Sequence, residues 1–148
     1  MAAVRNVVHY RVTEDITDLL NAFASWASTQ PDILAVALVG SYARDTATEA
    51  SDVDLVVLVN DPHRYLENTG WVKRFGLVER QQTEDYGTVT SLRVWYEGGP
   101  EVEYGLTTRH WIQLPLDEGT KSVIRDGMRV LWEREALLSP HLQGQWQR

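Results

Sequence analysis

Runs of apolar residues divide the chain into elements with two different periodicities. Before Pro31, apolar side chains recur at every third or fourth position, which predicts an amphipathic helix that begins near Glu14. The apolar positions of this helix are Ile16, Leu19, Leu20, Phe23, Trp26 and Ala27. Two nearly continuous apolar runs follow, Ile33 to Val39 and Val53 to Val59, and each has the length of one buried strand. Residues 1–12 show no clear pattern, so we expect a loose arm or a short edge strand there.

The second half of the chain alternates between apolar and polar residues, which is typical of strands with one buried face. The turn residues Gly98, Gly99 and Pro100 separate two of these strands, which should therefore pair as a hairpin. Strands are predicted at Leu77 to Gln82, Thr88 to Tyr96 and Glu101 to Thr107, and Met128 to Trp132 is either a final buried strand or an apolar tail segment. Short helices are predicted at residues 63–68, 71–75 and 121–125, and a frayed polar tail after residue 138.

The first candidate for chemistry is a pair of carboxylates at the start of the second apolar run. Residues two apart on a strand point to the same side, so Asp52 and Asp54 share one face while Val53 and Leu55 pack into the core. Two adjacent carboxylates repel each other, and a divalent cation with oxygen ligands offsets that repulsion. A solvated strand start is the alternative, since carboxylates are common there.

The second candidate lies where the first apolar run ends, at Gly40 and Ser41. A glycine allows close approach of the backbone to a ligand, and a strand that turns here into a helix presents backbone N–H groups and a hydroxyl. Such a turn suits a phosphate, although Ser41 could also be a helix cap. A nucleoside triphosphate with magnesium needs both the phosphate turn and the carboxylate pair.

The string GSYARDTATEASDVDLVVL, with Gly40-Ser41 and Asp52-Val53-Asp54, resembles the signature of the nucleotidyltransferase superfamily with the DNA polymerase β-like fold. It is similar to minimal nucleotidyltransferases and to the catalytic domains of aminoglycoside adenylyltransferases. The resemblance implies an α/β fold: a mixed, mostly antiparallel sheet with helices packed mainly on one face, here as one domain over residues 1–148. It also implies transfer of a nucleotide from ATP or another NTP, with Asp52 and Asp54 holding two Mg²⁺ ions.

A site of this kind needs a third carboxylate from a neighbouring strand. The family places its third acidic residue between two hydrophobic ones, and Val102-Glu103-Tyr104 matches that pattern. The resemblance allows Glu103 to be a metal ligand or the base that accepts the proton of the acceptor hydroxyl, and the residues alone do not separate these roles. Glu101 is next to the turn, and we interpret it as solvated.

Several other residues have two interpretations. Arg44 follows Ser41 by one turn and could contact the triphosphate or pair with Asp52. Arg93 and Lys73 could also contact phosphate, but we interpret both as ordinary surface charges. The aromatic faces of Trp71 and Trp95 could each stack on a base or a sugar.

Composition narrows the class of partner. The formal charge of −7 disfavours nucleic acid and suits a cationic small molecule better. The chain has no cysteine, which excludes disulfides and thiolate metal sites, and it lacks a signal-like N-terminus or an apolar run long enough to span a membrane. We therefore expect a cytoplasmic protein.

Three hypotheses about function remain. The first is an adenylyltransferase that modifies a hydroxyl of a small, aminoglycoside-like molecule. The second is a minimal nucleotidyltransferase that modifies a helical partner protein as the antitoxin of a toxin pair. The third is a non-catalytic nucleotide-binding module. The larger family members add a helical C-terminal domain, whereas the sequence ends at Arg148, so we expect the acceptor wall to come from a homodimer, from another protein or from the Trp71 to Gln113 segment.

Overall fold

The structure, a computed structural model, describes the backbone of residues 12–146 and the side chains of residues 16–142. The expected N-terminal arm lies outside these residues, except that the first helix begins at Val12. The helices are α1 (Val12–Ser28), α2 (Gly40–Ala43), α3 (Pro62–Glu67), α4 (Glu118–Asp126) and α5 (Ser139–Trp146), with 3-10 helices at Gly70–Phe75 and Arg109–Ile112. The strands are β1 (Ile33–Val39), β2 (Val53–Val59), β3 (Val78–Asp85), β4 (Thr90–Tyr96), β5 (Glu101–Thr107) and β6 (Arg129–Glu133).

The strands form a single mixed sheet in the order β3-β4-β5-β2-β1-β6. Neighbours are antiparallel except for β2 and β5, which run parallel. The predicted fold class is thus confirmed, and so is the β4–β5 hairpin. The registers matter for function, because they place Glu103 between Asp54 of β2 and Arg93 of β4 in one row across the sheet.

Two apolar clusters hold the sheet, one on each face. The larger lies under α1, α3 and the first 3-10 helix, as the predicted one-sided packing requires, and Phe23 and Tyr104 are buried in it. A smaller cluster, which the sequence did not predict, covers β1 and β2 on the other face with Trp111, Ile124 and Leu138. Because β1 and β2 are buried on both faces, their sequences are continuous apolar runs rather than alternating ones. No helix in the described range is long and apolar enough to cross a bilayer.

The C-terminal segment differs from its prediction. Residues 139–146 form helix α5 rather than a frayed tail, and the preceding Leu138 is completely buried. The Glu133 carboxylate explains the difference, since its Oε1 accepts backbone N–H bonds from Leu137, Leu138 and Ser139. Of these donors, Ser139 is the first residue of α5, where a helix start leaves backbone N–H groups unpaired. The strand before them, β6, is only half-buried at the edge of the sheet, rather than buried as predicted.

Candidate active site

The turn between β1 and α2 closes directly over Asp54. Gly40 has a φ of 75°, a left-handed conformation that other residues rarely adopt. A Cβ atom at Gly40 would also overlap Oδ2 of Asp54. Two features therefore require glycine here: the backbone conformation and the close approach of the turn to this carboxylate.

Three carboxylates converge beside this turn. One oxygen from each of Asp52, Asp54 and Glu103 lies within 4.8 Å of the other two. Val53 and Leu55 are buried on the opposite face, so the alternation predicted from the sequence holds around Asp54. The contribution of Glu103 comes from the parallel pairing of β5 with β2, which sets it directly opposite Asp54.

The electrostatics of the cluster favour a bound cation. Burial, followed by the charges of Asp52 and Glu103, raises the pKa of Asp54 to about 8. In the absence of a cation, one acidic proton is thus retained where three carboxylates meet. Oxygen donors from three carboxylates are the ligands that Mg²⁺ and Mn²⁺ prefer, and a divalent ion would offset the repulsion that raises this pKa. The residues present therefore fit a divalent metal.

Arg93 lies inside this cluster, so its interpretation as an ordinary surface charge is wrong. Its guanidinium contacts Asp52 and Glu103 at 3.0 Å each, and it also binds Glu84 and Glu101. The hairpin register, which can be read from the sequence, predicts the position of Arg93. Counting back from the turn at residues 98–100 sets Arg93 opposite Glu103 in the hairpin, with Leu92 and Val94 on the buried face.

The interpretation of Glu101 as solvated is also wrong. It accepts a hydrogen bond from Nη1 of Arg93, and its side chain is only 33% exposed to solvent. Glu84 of β3 accepts from both Nε and Nη2 of Arg93, and this hydrogen bonding lowers the pKa of Glu84. Sequence reasoning did not single out Glu84 at all.

A cleft of about 310 Å³ opens beside Asp54 and Glu103. Its lining includes Asp54, Glu103, Gly105, Trp111 and Val123. A Cβ atom at Gly105 would lie 3.0 Å from the Leu55 carbonyl oxygen and 3.1 Å from Val89. The cleft thus provides room for a substrate group next to two of the three carboxylates.

The aromatic residues at the cleft are not those predicted. Trp71 stacks on Trp26 in the large cluster, with ring centroids 5.6 Å apart, and Trp95 lies under the Arg80 guanidinium. Instead, Trp111 forms a buried wall, and the exposed Tyr86 lines the cleft with its hydroxyl donating to Glu84. Trp111 and Tyr86 come from segments that local patterning did not connect to the carboxylates.

Ser41 lies on α2, which begins at the Gly40 turn, and Arg44 directly follows this helix. Ser41 is the second residue of α2, and its carbonyl oxygen accepts from the backbone N–H groups of Arg44 and Thr46. Arg44 is exposed at the end of α2. The Arg44–Asp52 pair considered from the sequence is not found among the described residues, where Asp52 pairs with Arg93.

Comparisons with known proteins identify one family model and several similar solved structures. The family model described as "Nucleotidyltransferase domain" matches residues 20–104, which include every predicted site residue. The chain is similar to the crystal structure of an aminoglycoside 6-adenyltransferase from Bacillus subtilis, with 21% identity and a TM-score of 0.50 over 67% of this chain and 36% of that one. It is also similar to the polymerase core of TRAMP, an RNA surveillance complex, with 18% identity and a TM-score of 0.49 over 67% of this chain and 33% of that one.

A third similar structure is a CCA-adding enzyme in complex with CTP, with 21% identity and a TM-score of 0.45 over 62% of this chain and 20% of that one. The chain thus spans about a third or less of the length of these three structures. No protein of curated function matches it by sequence.

Proposed function

Because this chain belongs to the nucleotidyltransferase domain family, we propose that it transfers AMP from ATP to a hydroxyl group of a small cationic acceptor, with Mg²⁺ as its metal. The observation that carries this proposal is the convergence of Asp52, Asp54 and Glu103 within 4.8 Å, beside the Gly40 turn and at the mouth of a cleft. Two of the three, Asp54 and Glu103, line the cleft, so a metal held there would lie next to a bound substrate.

The metal ligands follow from this arrangement. Asp52 and Asp54 would hold two Mg²⁺ ions together with Glu103. When bound, the metal supplies charge neutralisation to the triphosphate and to the leaving pyrophosphate. The Gly40–Ser41 turn, which lies against Asp54, would bind the β- or γ-phosphate, and the exposed Arg44 is free to reach the same phosphates from the end of α2.

The proposed reaction is an attack of the acceptor hydroxyl on ATP, with Glu103 as the base. The acceptor oxygen attacks the α-phosphorus and forms a new P–O bond, while the bond from the α-phosphorus to the α–β bridging oxygen breaks and pyrophosphate leaves with its electron pair. The proton of the acceptor hydroxyl passes to the carboxylate of Glu103. We assign this role to Glu103 because it lines the cleft in which the acceptor would lie, whereas Asp52 does not. Asp54 also lines the cleft, but it lies directly against the Gly40 turn.

The charge around the cleft supports a cationic acceptor. Glu84 and Glu101 add to the three metal-binding carboxylates, and Arg93 is the cation that contacts Asp52, Glu84, Glu101 and Glu103. Two Mg²⁺ ions and Arg93 would balance the charge of these five carboxylates, but the chain as a whole has a formal charge of −7, which favours a molecule with several amino groups over an anionic one. An aminoglycoside-like polyamine with free hydroxyl groups combines the required charge and the required nucleophile.

The test is an acceptor screen with labelled ATP and Mg²⁺, in which amino sugars are compared with neutral sugars and with protein acceptors. We expect the mass of one AMP residue to be added to an amino sugar by the native chain and not by Asp54→Asn. Asp18→Asn is the matched control, since Asp18 is exposed on α1, the helix packed on the other face of the sheet. Label found only on a protein would favour the partner-modifying hypothesis, and no transfer to any acceptor would refute the proposal.

A further inference from the structure

All five N–H donors of Arg93 are used by carboxylates. Nε donates to Glu84, Nη1 donates to Asp52 and Glu101, and Nη2 donates to Glu84 and Glu103. A guanidinium offers only five donors in a rigid planar fork. The side chain is 18% exposed, so these contacts are partly shielded from solvent. Arg93 is therefore fully engaged within the carboxylate cluster rather than available for substrate.

The partners of Arg93 fall into two groups. Asp52 and Glu103 are candidate metal ligands, and each uses one oxygen, Oδ2 and Oε1 respectively, to accept from Arg93. Arg93 thus contacts one oxygen of each of these carboxylates and not the other. Glu84 and Glu101 are outside the ligand group; Glu84 accepts from Nε and Nη2 of the guanidinium, and Glu101 accepts from Nη1.

We infer that Arg93 is a positioning residue that orients Asp52 and Glu103 for metal binding, with Glu84 and Glu101 as its anchors. This inference rests on the proposed function, because it requires that the cluster binds a divalent ion. Hydrogen bonds from a neighbouring residue fix the rotamer of a ligating carboxylate, and loss of such partners typically weakens metal affinity about 10- to 100-fold. Without Arg93, Asp52 and Glu103 would repel each other and turn apart.

The charge of Arg93 by itself has the opposite effect. A cation beside the site repels a second cation, so loss of the positive charge alone would strengthen metal binding. A positioning role and a pure charge effect therefore predict changes of opposite sign for Arg93→Gln. Arg93→Lys adds a second distinction, since it keeps the charge but offers a compact group with three donors instead of the planar fork.

The experiment is titration with Mn²⁺ alone, followed by the electron paramagnetic resonance signal of the free ion. It compares the native chain with Arg93→Gln, Arg93→Lys and Asp54→Asn. Arg80→Lys is the matched control, because Arg80 lies over Trp95 on the outer strand β3. We expect Arg93→Gln to bind Mn²⁺ about 10- to 100-fold more weakly and Arg93→Lys to bind it about 10-fold more weakly, with the control unchanged.

The other outcomes distinguish a wrong positioning role for Arg93 from a wrong metal site. Native affinity in Arg93→Lys together with equal or tighter binding in Arg93→Gln would overturn the positioning role and leave the proposed metal site intact. Absence of Mn²⁺ binding by the native chain, or binding unaffected by Asp54→Asn, would overturn the proposed function and this inference with it. If circular dichroism shows that Arg93→Gln does not fold, Glu84→Gln replaces it, since that change loosens the guanidinium without altering a metal ligand. Unchanged Mn²⁺ affinity in Glu84→Gln would then refute the inference.

Discussion

Replacement of Asp54 by asparagine should stabilise the metal-free protein at alkaline pH and remove its response to divalent metal. In the native chain, burial and two neighbouring carboxylates raise the pKa of Asp54 from its ordinary value of 3.8 to about 8. Ionisation of Asp54 is therefore unfavourable in the folded state and easy in the unfolded state. Asparagine has nearly the same shape and no charge, so it removes this cost.

The magnitude follows from the size of the shift. A change from 3.8 to about 8 is roughly 4 pKa units, and at about 1.4 kcal/mol per unit the upper limit is roughly 6 kcal/mol. Asp54 is only partly buried, so solvent screening lowers the expected effect to about 2–3 kcal/mol. For a chain of 148 residues, this corresponds to an increase in Tm of about 5–10 °C.

The sign of the pH dependence is determined by the direction of the shift. The folded state binds the Asp54 proton more tightly than the unfolded state does, so this group's contribution to stability is complete below its unfolded pKa of 3.8. That contribution is lost as the pH rises through the folded value of about 8. Asp54→Asn should thus resemble the native chain near the lower value and exceed it increasingly toward the upper one.

The assay is urea unfolding of both proteins with a chelator, at several values between about pH 5 and about pH 9, and then with Mn²⁺. Mn²⁺ should raise the unfolding free energy of the native chain and leave that of Asp54→Asn unchanged, because only the native site binds the ion. Asp18→Asn again serves as the control for loss of a carboxylate. The reasoning is refuted if Asp54→Asn is less stable than the native chain at about pH 9 without metal, or if the difference does not vary with pH.

Three further changes test separate parts of the structure. Gly40→Ala should destabilise the protein by about 1–3 kcal/mol and abolish AMP transfer, because the left-handed backbone and the Asp54 carboxylate both oppose a Cβ there; normal stability in thermal unfolding would contradict this. Glu103→Gln should retain measurable Mn²⁺ binding but lose transfer if Glu103 accepts the acceptor proton, whereas loss of both in parallel titrations would make it essential as a ligand. Glu133→Gln should cost about 1–2 kcal/mol in urea unfolding by weakening the start of α5, with no change in Mn²⁺ affinity, and a change in that affinity would indicate that α5 supports the site.

The sequence by itself was enough to predict the part of the candidate site formed by β1, β2 and the segment between them. The bounds of β1 and β2 match their predictions, because each is a short apolar run closed by turn residues. The side-by-side placement of Asp52 and Asp54 follows from the two-residue period of a strand, which does not depend on the rest of the fold. The sequence predicts that Gly40 allows the backbone to approach a ligand closely, and the structure shows that the turn also approaches Asp54.

The hairpin turn carries information about the position of Arg93. The turn at residues 98–100 was recognised, and its register pairs Arg93 with Glu103. Arg93 was nevertheless interpreted as a surface charge, because propensity and alternation specify which face a residue occupies and not what else lies on that face. The assembly of four carboxylates around Arg93 requires β2, β3, β4 and β5 to meet in one sheet.

Only the tertiary structure decided the contacts between distant segments. The parallel pairing of β5 with β2 brings Glu103 to Asp54, and no local pattern specifies which strand becomes the neighbour of β2. In the same way, Glu133 caps a helix whose own residues are weakly helical, and Trp111 rather than Trp71 forms the wall of the cleft. The physical reason is common to these cases: strand period and turn chemistry act between residues close in sequence, whereas strand order, helix docking and charge pairing are set by burial and electrostatics across the folded chain.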